Sequence, residues 1–175
     1  MFFRFCILAM FSFSLFFFSV QDVSTASASN KSKSNNNVSF RLGKFYRGMA
    51  LKQVIVLLGK PVYLNKPVHH KATGTRLRAI MYPKVGLRFG LVSKAPKGSW
   101  KLDSIEAKPS CQLKTGQGIG IGSSRKAVQA AYKQKDAMFS NKSQYVAGSI
   151  LGGRAVIFGF DKHQRVKSIF IGSPR

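Results

Sequence analysis

The sequence predicts an α+β fold in which two tandem repeats, each a helix followed by an antiparallel meander, form one sheet with both helices on one face. Residues 48–58 align with residues 122–132, and both segments carry apolar residues at helical spacing after an entry glycine. Downstream, two strand–turn–strand segments correspond in the same way, at 87–105 and 156–169. The chain is therefore interpreted as a duplication of one structural unit.

The first 28 residues predict a secretory signal peptide that is cleaved after Ala28. Arg4 precedes a Phe- and Leu-rich run from Phe5 to Val20, and Ala26-Ser27-Ala28 satisfies the small-residue rule of signal peptidase. An uncleaved membrane anchor is the alternative, but the run is shorter than the roughly 20 residues that a spanning helix needs. No cysteine directly follows the run, so a lipoprotein anchor is not indicated. We therefore expect an exported protein, periplasmic or secreted.

Residues 29–38 are a polar tract without periodicity, which predicts a flexible linker before the folded domain. The first repeat is expected to cover residues 39–110 and the second residues 111–175. Cys6 leaves with the signal peptide and Cys111 has no second cysteine to pair with, so the fold depends on its apolar core. A buried or inert thiol is favoured over a nucleophile at Cys111, because no base is evident beside it.

Each repeat is predicted to begin with a short helix. In the first, Leu51, Val54 and Leu58 recur at helical spacing, and Gly59 followed by Pro61 ends the helix. The second helix repeats the apolar pattern with Ala127, Val128, Ala131 and Tyr132. Additional strands are expected at 75–82 and 144–151.

The charge balance limits the functions that this chain can have. There are 29 Lys and Arg residues against five Asp and Glu, a formal net charge of +24. Paired-carboxylate hydrolysis and carboxylate-rich metal sites need acids that the sequence barely contains. His69 and His70 are adjacent and would point in opposite directions on a strand, so no metal site is expected. We predict a folded, non-catalytic domain without a cofactor.

The residues of the first repeat carry a family resemblance. Gly48-Met49, then Val54, then Leu58-Gly59 and Pro61 resemble the signature of the BamE (SmpA/OmlA) domain. The duplication of this unit resembles the fold of β-lactamase inhibitor protein (BLIP)-like proteins. The resemblance implies a protein of the cell envelope that binds other proteins and performs no chemistry.

The strands predict a candidate binding face. Alternation gives a core side that holds Leu87, Phe89 and Leu91, joined from the second repeat by Val156, Phe158 and Phe160. Arg88 points to the other side, and Arg76 and Arg78 share one side of the preceding strand. We predict that Arg76, Arg78 and Arg88 line one exposed face, which is the binding surface in BLIP-like proteins. A merely solvated face is the alternative.

The start of the second helix is a candidate anion site. Ser124, Arg125 and Lys126 follow Gly122, and basic residues are unfavourable in a first helical turn because the positive end of the helix dipole lies there. A phosphate bound by backbone N–H groups would relieve this arrangement. Solvated basic residues, tolerated in a basic protein, are the alternative.

Two classes of function remain open. The first is an exported interaction module that binds an acidic protein or an envelope complex. The second is a polyanion binder, with nucleic acid, an acidic lipid headgroup or an anionic polysaccharide as ligand. The two classes differ in their response to salt, because a polyanion complex loses affinity steeply between about 50 and 200 mM salt.

Export with cleavage is directly testable. Mass spectrometry of the mature protein is expected to find an N-terminus near Ser29, because the small-residue site ends at Ala28. Recovery of the chain with Met1 intact in the membrane fraction would contradict the expected localisation.

Overall fold

Antiparallel sheet dominates the residues that the structure, a computed structural model, describes: 40–95, 98–133, 137–149 and 154–173. The predicted signal peptide and the linker to residue 38 lie outside these residues. The elements are β1 (Arg41–Leu42), β2 (Phe45–Tyr46), α1 (Leu51–Leu58), β3 (Tyr63–Leu64), β4 (Val68–His70), β5 (Thr75–Tyr82), β6 (Leu87–Ser93), β7 (Lys101–Ala107), α2 (Arg125–Ala131), β8 (Ala137–Ser140), β9 (Gln144–Ser149), β10 (Arg154–Phe160) and β11 (Val166–Gly172).

β3 to β11 form one nine-stranded sheet, and β1 and β2 form a separate hairpin. The order in the sheet is β3-β5-β6-β7-β11-β10-β9-β8, and β4 pairs with β5 on the same side as β3. Two meanders, β5-β6-β7 and β9-β10-β11, meet where β7 pairs with β11. This junction aligns Ile105 with Ile171 and Ala107 with Ile169, all buried.

The predicted α+β class with two helix-led repeats is wrong, because the described chain is mainly antiparallel sheet with a small helical share. α1 has eight residues and α2 has seven. At about 1.5 Å per residue such a helix is about 12 Å long, enough to cover about two or three strands spaced by about 4.8 Å. The apolar periodicity located both helices correctly, but it contains no information on how much of the sheet they cover.

Non-helical segments therefore cover much of the buried sheet face. α1 buries only Val54 completely and α2 only Val128. Phe45 from the β1–β2 hairpin packs against Phe89, with the ring centroids 5.1 Å apart. Ile119, from the connection between β7 and α2, also belongs to the core cluster. The core is a sheet face closed by loops and a hairpin as well as by helices.

The strand alternation predicted for the core side is confirmed. The residues expected on that side, Leu87, Phe89, Leu91, Val156, Phe158 and Phe160, are all buried. Burying one such side chain contributes about 1.5–3 kcal/mol, so this face supplies much of the hydrophobic stabilisation.

Both helix starts are tied to the sheet by the same backbone hydrogen bonds. Each start exchanges two bonds of 2.7–2.9 Å with one strand residue: Gly48 and Met49 with Leu102, Gly122 and Ser123 with Val166. The glycines have φ angles of +94° and +83°, a region that favours glycine. The entry glycines seen in the sequence therefore serve as turns that dock the helices on β7 and β11. No helix among the described residues is long and apolar enough to cross a membrane.

Replacing either buried helix valine with aspartate tests this packing. Val54 and Val128 are each 0% exposed, so Val54→Asp and Val128→Asp bury an unpaired charge and are expected to lower the free energy of unfolding by roughly 3 kcal/mol or more. Val56 lies on the same helix as Val54 but is 85% exposed. Val56→Asp should therefore change stability by less than about 0.5 kcal/mol. Equal denaturation midpoints for Val54→Asp and Val56→Asp would contradict the packing of α1.

Candidate functional site

The sheet face that points away from the core, called the outer face from here on, carries a continuous row of cross-strand neighbours. The backbone register places seven side chains next to one another: Tyr63, Met81, Arg88, Glu106, Phe170, Ile157 and Val146. Residues directly opposite each other in antiparallel strands point to the same side and interact. Five of the seven are apolar, so the row is an apolar strip interrupted by one charged pair.

The charged pair belongs to a cluster of three ionic side chains. The Oε2 atom of Glu106 lies 3.2 Å from Nη1 of Arg88, and its Oε1 atom lies 2.6 Å from Nζ of Lys108. Burial raises the pKa of Glu106, but hydrogen bonds and charge attraction from Lys108 and Arg88 outweigh this effect and lower the pKa below its ordinary value. Glu106 is therefore ionised at neutral pH, and the cluster keeps one positive charge in excess.

The middle of the outer face carries pairs of small residues. Gly90 pairs with Ser104, and Gly159 pairs with Ser168, one pair in each meander. In both pairs the serine hydroxyl lies so close to the glycine that an added Cβ would collide with it. The serine hydroxyls fill the space beside the glycines, so only small groups cover the sheet here.

A groove of about 410 Å³ lies on this face and includes Gly90 and Ser104 in its lining. Its lining includes the apolar residues Val68, Leu77 and Phe170 and the charged residues Arg78, Arg88 and Asp103. The groove therefore combines apolar side chains with two arginines and one aspartate.

The prediction that Arg76, Arg78 and Arg88 share one exposed face is wrong. Arg78 pairs with Leu91, which is 1% exposed and faces the core, whereas Arg88 pairs with Met81 on the outer face. The turn between β5 and β6 decides this placement. Its register puts even-numbered residues of β5 on the same side as odd-numbered residues of β6, and strand alternation alone does not reveal that relation.

Arg76 and Arg78 lie instead on the core side of the sheet, beyond the end of the core. Their guanidinium carbons are 5.8 and 5.3 Å from the ring centroid of Trp100, within the range of cation–π contacts. The Nε atom of Arg78 donates a 3.1 Å hydrogen bond to the carbonyl oxygen of Asn65. All three side chains of this cluster are half-buried.

The predicted anion site at Ser124, Arg125 and Lys126 is not formed. Ser124 caps α2 by accepting a 3.2 Å hydrogen bond from the backbone N–H of Ala127. Arg125 donates to the Ser140 hydroxyl (2.6 Å) and to Gln164 Oε1 (3.2 Å). Its guanidinium also lies 4.9 Å from the centre of the Phe160 ring.

The backbone of this helix start is also occupied. The N–H groups of Gly122 and Arg125 donate to the carbonyls of Val166 and Gln164, at 2.8 and 2.9 Å. Lys126 is exposed. Arg125 therefore joins the turn between β8 and β9 to the turn between β10 and β11, and no backbone cradle for a phosphate is left.

The sequence did not predict an exposed apolar segment that includes part of α1 and the edge strands β3 and β4. Eight large apolar side chains are exposed among the described residues, and six of them fall within residues 56–68: Val56, Leu57, Val62, Tyr63, Leu64 and Val68. Tyr63 and Val68 pair with Met81 and Leu77, so they extend the outer face to the sheet edge. The sequence did hold a signal, because Val56 and Leu57 lie off the apolar face of α1.

The described residues offer little catalytic machinery. Cys111 is 4% exposed, and burial raises the pKa of its thiol. His69 and His70 are adjacent on β4, and Nδ1 of His70 lies 2.9 Å from the Thr73 hydroxyl. No group of three or more His, Cys, Asp or Glu side chains suited to a metal ion occurs in this part of the chain.

Comparison of the chain with protein-family models, curated proteins and solved structures finds no match. The function of this protein is therefore inferred from the chemistry of its surfaces.

The contrast between Arg125 and Lys126 is testable. Arg125→Gln removes a cation–π contact and several hydrogen bonds, so it is expected to lower the free energy of unfolding by about 1–3 kcal/mol. Lys126→Gln removes the same charge from an exposed position and should change stability by less than about 0.5 kcal/mol. Chemical denaturation of both variants measures the difference. Similar stabilities would mean that Arg125 does not join the two turns.

Proposed function

We propose that this chain is an exported, non-catalytic binding module of the cell envelope that binds an acidic protein through the outer face of its sheet. The observation that carries the proposal is the row from Tyr63 to Phe170, in which apolar side chains lie on both sides of the charged pair Arg88 and Glu106. Aromatic residues, methionine and arginine are enriched in protein interfaces, and Tyr63, Met81, Arg88 and Phe170 of this row are of these types. The resemblance of Gly48 to Pro61 to the BamE domain adds the envelope setting to the proposal.

The charge supports an acidic partner. Three carboxylate side chains occur among the described residues, and each already takes part in internal contacts. Asp103 forms an ion pair with Arg47, with 2.9 Å between Oδ1 and Nη2. Glu106 forms ion pairs with Arg88 and Lys108. Asp161 accepts hydrogen bonds from backbone N–H groups of its own turn. The sequence has 29 Lys and Arg residues against five Asp and Glu, and this excess of positive charge favours association with a negatively charged surface.

The residue types on the outer face also support a protein partner. Tyr63 is 53% exposed and Val68 is 61% exposed, and Phe170 is half-buried at the centre of the sheet. Tyrosine and arginine are enriched among the residues that dominate binding energy. Pro61 and Pro67 flank the edge strand and lack backbone donors, which disfavours the addition of a partner strand. Contacts through side chains are therefore proposed.

The alternative, a polyanion binder, is supported by the net charge of +24. It would hold its ligand through Lys and Arg alone, with little use for the apolar row. Its affinity would fall steeply with salt, since each phosphate contact releases a counterion.

A photo-cross-linking experiment separates the two. A benzoylphenylalanine placed at Tyr63, on the outer face, is expected to give a discrete adduct with an acidic protein in the cells that produce the chain. The adduct yield should fall little between about 50 and 200 mM salt in extracts, because apolar contacts are not screened. The same probe at Val56, on the solvent-exposed side of α1, is the matched control and should give no such adduct.

Paired serine variants test the surface directly. Tyr63→Ser with Val68→Ser should reduce capture of the cross-linked protein at least tenfold, a loss of about 1.4 kcal/mol or more. Val56→Ser with Leu57→Ser removes exposed apolar side chains elsewhere and should leave capture unchanged. Equal loss in both pairs, or competition by heparin with a steep salt dependence, would support the polyanion binder instead.

A further inference from the structure

α1 carries large apolar side chains on the side that faces solvent. Val56 is 85% exposed and Leu57 is 42% exposed. We infer that these two residues, together with Val62 and Leu64, bind the surface of a membrane that contains anionic lipid. The four residues are called the α1 patch from here on. They do not include the outer-face residues that carry the proposed function, so each idea is tested by its own variants.

The composition of α1 differs from that of an ordinary surface helix. Six of its eight residues are apolar, and such a helix is normally covered on all sides. α1, however, buries only Val54 completely. In α2, the position that aligns with Val56 is Ala130, and its neighbour Gln129 is exposed and polar. An apolar outer side is therefore not a requirement for packing a helix on this sheet.

The end of α1 and strand β3 are both attached to β5. The Tyr82 hydroxyl donates a 2.9 Å hydrogen bond to the carbonyl oxygen of Gly59, directly after α1. The N–H of Val62 donates at 3.1 Å to the carbonyl of the residue before Tyr82. Leu64 pairs with Ile80, which is buried in the core, so Leu64 points to the sheet side on which α1 packs. The α1 patch therefore lies along one edge of the sheet.

Lysines border the α1 patch. Lys52 lies four residues before Val56, so the two are neighbours on the helix surface. Lys60 and Lys66 lie on either side of β3, and all three lysines are exposed. The chain contains no Asp or Glu from residue 40 to residue 102. Long lysine side chains reach the headgroups of a membrane while their apolar neighbours insert more deeply.

The residue types of the α1 patch fit a lipid surface better than a protein interface. Lysine is depleted in protein interfaces, and leucine and valine are under-represented among the residues that dominate binding energy. Aliphatic side chains next to lysines are instead typical of segments that lie in the interface of an anionic membrane. A second copy of the chain is disfavoured, because its lysines would face those of the first.

Sedimentation with lipid vesicles tests the inference. The protein purified from the exported fraction is expected to bind vesicles of equal parts phosphatidylserine and phosphatidylcholine at least tenfold more tightly than vesicles of phosphatidylcholine alone. Val56→Ser with Leu57→Ser should weaken binding to the anionic vesicles at least tenfold, because it removes apolar contact without a change in charge. Unchanged binding by this variant would mean simple electrostatic adsorption and would overturn the inference.

Paired lysine variants test whether the charge acts at this place. Lys60→Gln with Lys66→Gln is expected to weaken binding to the anionic vesicles at least tenfold, because both lysines border the α1 patch. Lys126→Gln with Lys162→Gln removes the same charge from exposed positions on α2 and in the turn between β10 and β11. This control should keep its affinity within about threefold of the parent. Equal losses in the two pairs would contradict binding through the α1 patch.

A tryptophan at Val56 measures insertion directly. In a Trp100→Phe background, which removes the chain's single tryptophan, the emission of Val56→Trp should shift to shorter wavelength on anionic vesicles and be quenched by brominated lipid. Ala130→Trp, at the aligned exposed position of α2, is the matched control and should show neither change. Equal quenching at both positions would overturn the inference. A photo-cross-linked adduct between Val56 and an acidic protein, without vesicle binding, would assign the α1 patch to a protein instead.

Discussion

The pairing of β7 with β11 is the contact on which the remainder of the structure depends. Each meander alone would end at an unpaired strand, β7 or β11, and would leave that edge of the sheet open. The junction aligns Ile105 with Ile171 and Ala107 with Ile169, so the two apolar faces become one. The helices, the β1–β2 hairpin and the connection at residues 111–121 then close a single core. Loss of this junction would expose the inner edges of both meanders.

The same pairing creates the surface on which we propose that a partner binds. Glu106 of β7 and Phe170 of β11 are opposite each other at the junction, and they continue the row that begins at Tyr63. Neither meander contains the whole row. An interface of this extent therefore exists only when the two halves are joined, which links binding on the outer face to folding of the complete sheet.

The shortage of acids gives the charged side chains unequal roles. Arg47, Arg88 and Lys108 are held by the carboxylates of Asp103 and Glu106. Other arginines are held by neutral groups: carbonyls, hydroxyls and aromatic rings. Such contacts fix the position of a guanidinium without neutralising it, so the positive potential remains available to an external anion. Arg125 and Arg78 share this kind of contact, but only Arg78 keeps its terminal nitrogens free.

Much of the local structure could be predicted from the sequence. Helical spacing around Val54 and Val128 located both helices, and alternation around Phe89 and Phe158 identified the core side of the central strands. The charge excess follows from composition alone. These features depend on residues near one another in the chain, whose pattern has the period of the element that they form.

Tertiary structure decided the properties that depend on distant residues. The register between β5 and β6 separated Arg76 and Arg78 from Arg88, and the turns around Ser140 and Gln164 occupied the side chain of Arg125. The share of the nine-stranded sheet that the helices cover depends on how much of its core side is packed by the hairpin and the loops instead. Composition and alternation by themselves determined the elements, the core side and the charge of this protein. Which face each cation occupies, and which cations remain open to a ligand, was decided only by strand register and long-range packing, because a shift of one residue reverses every side chain of a strand.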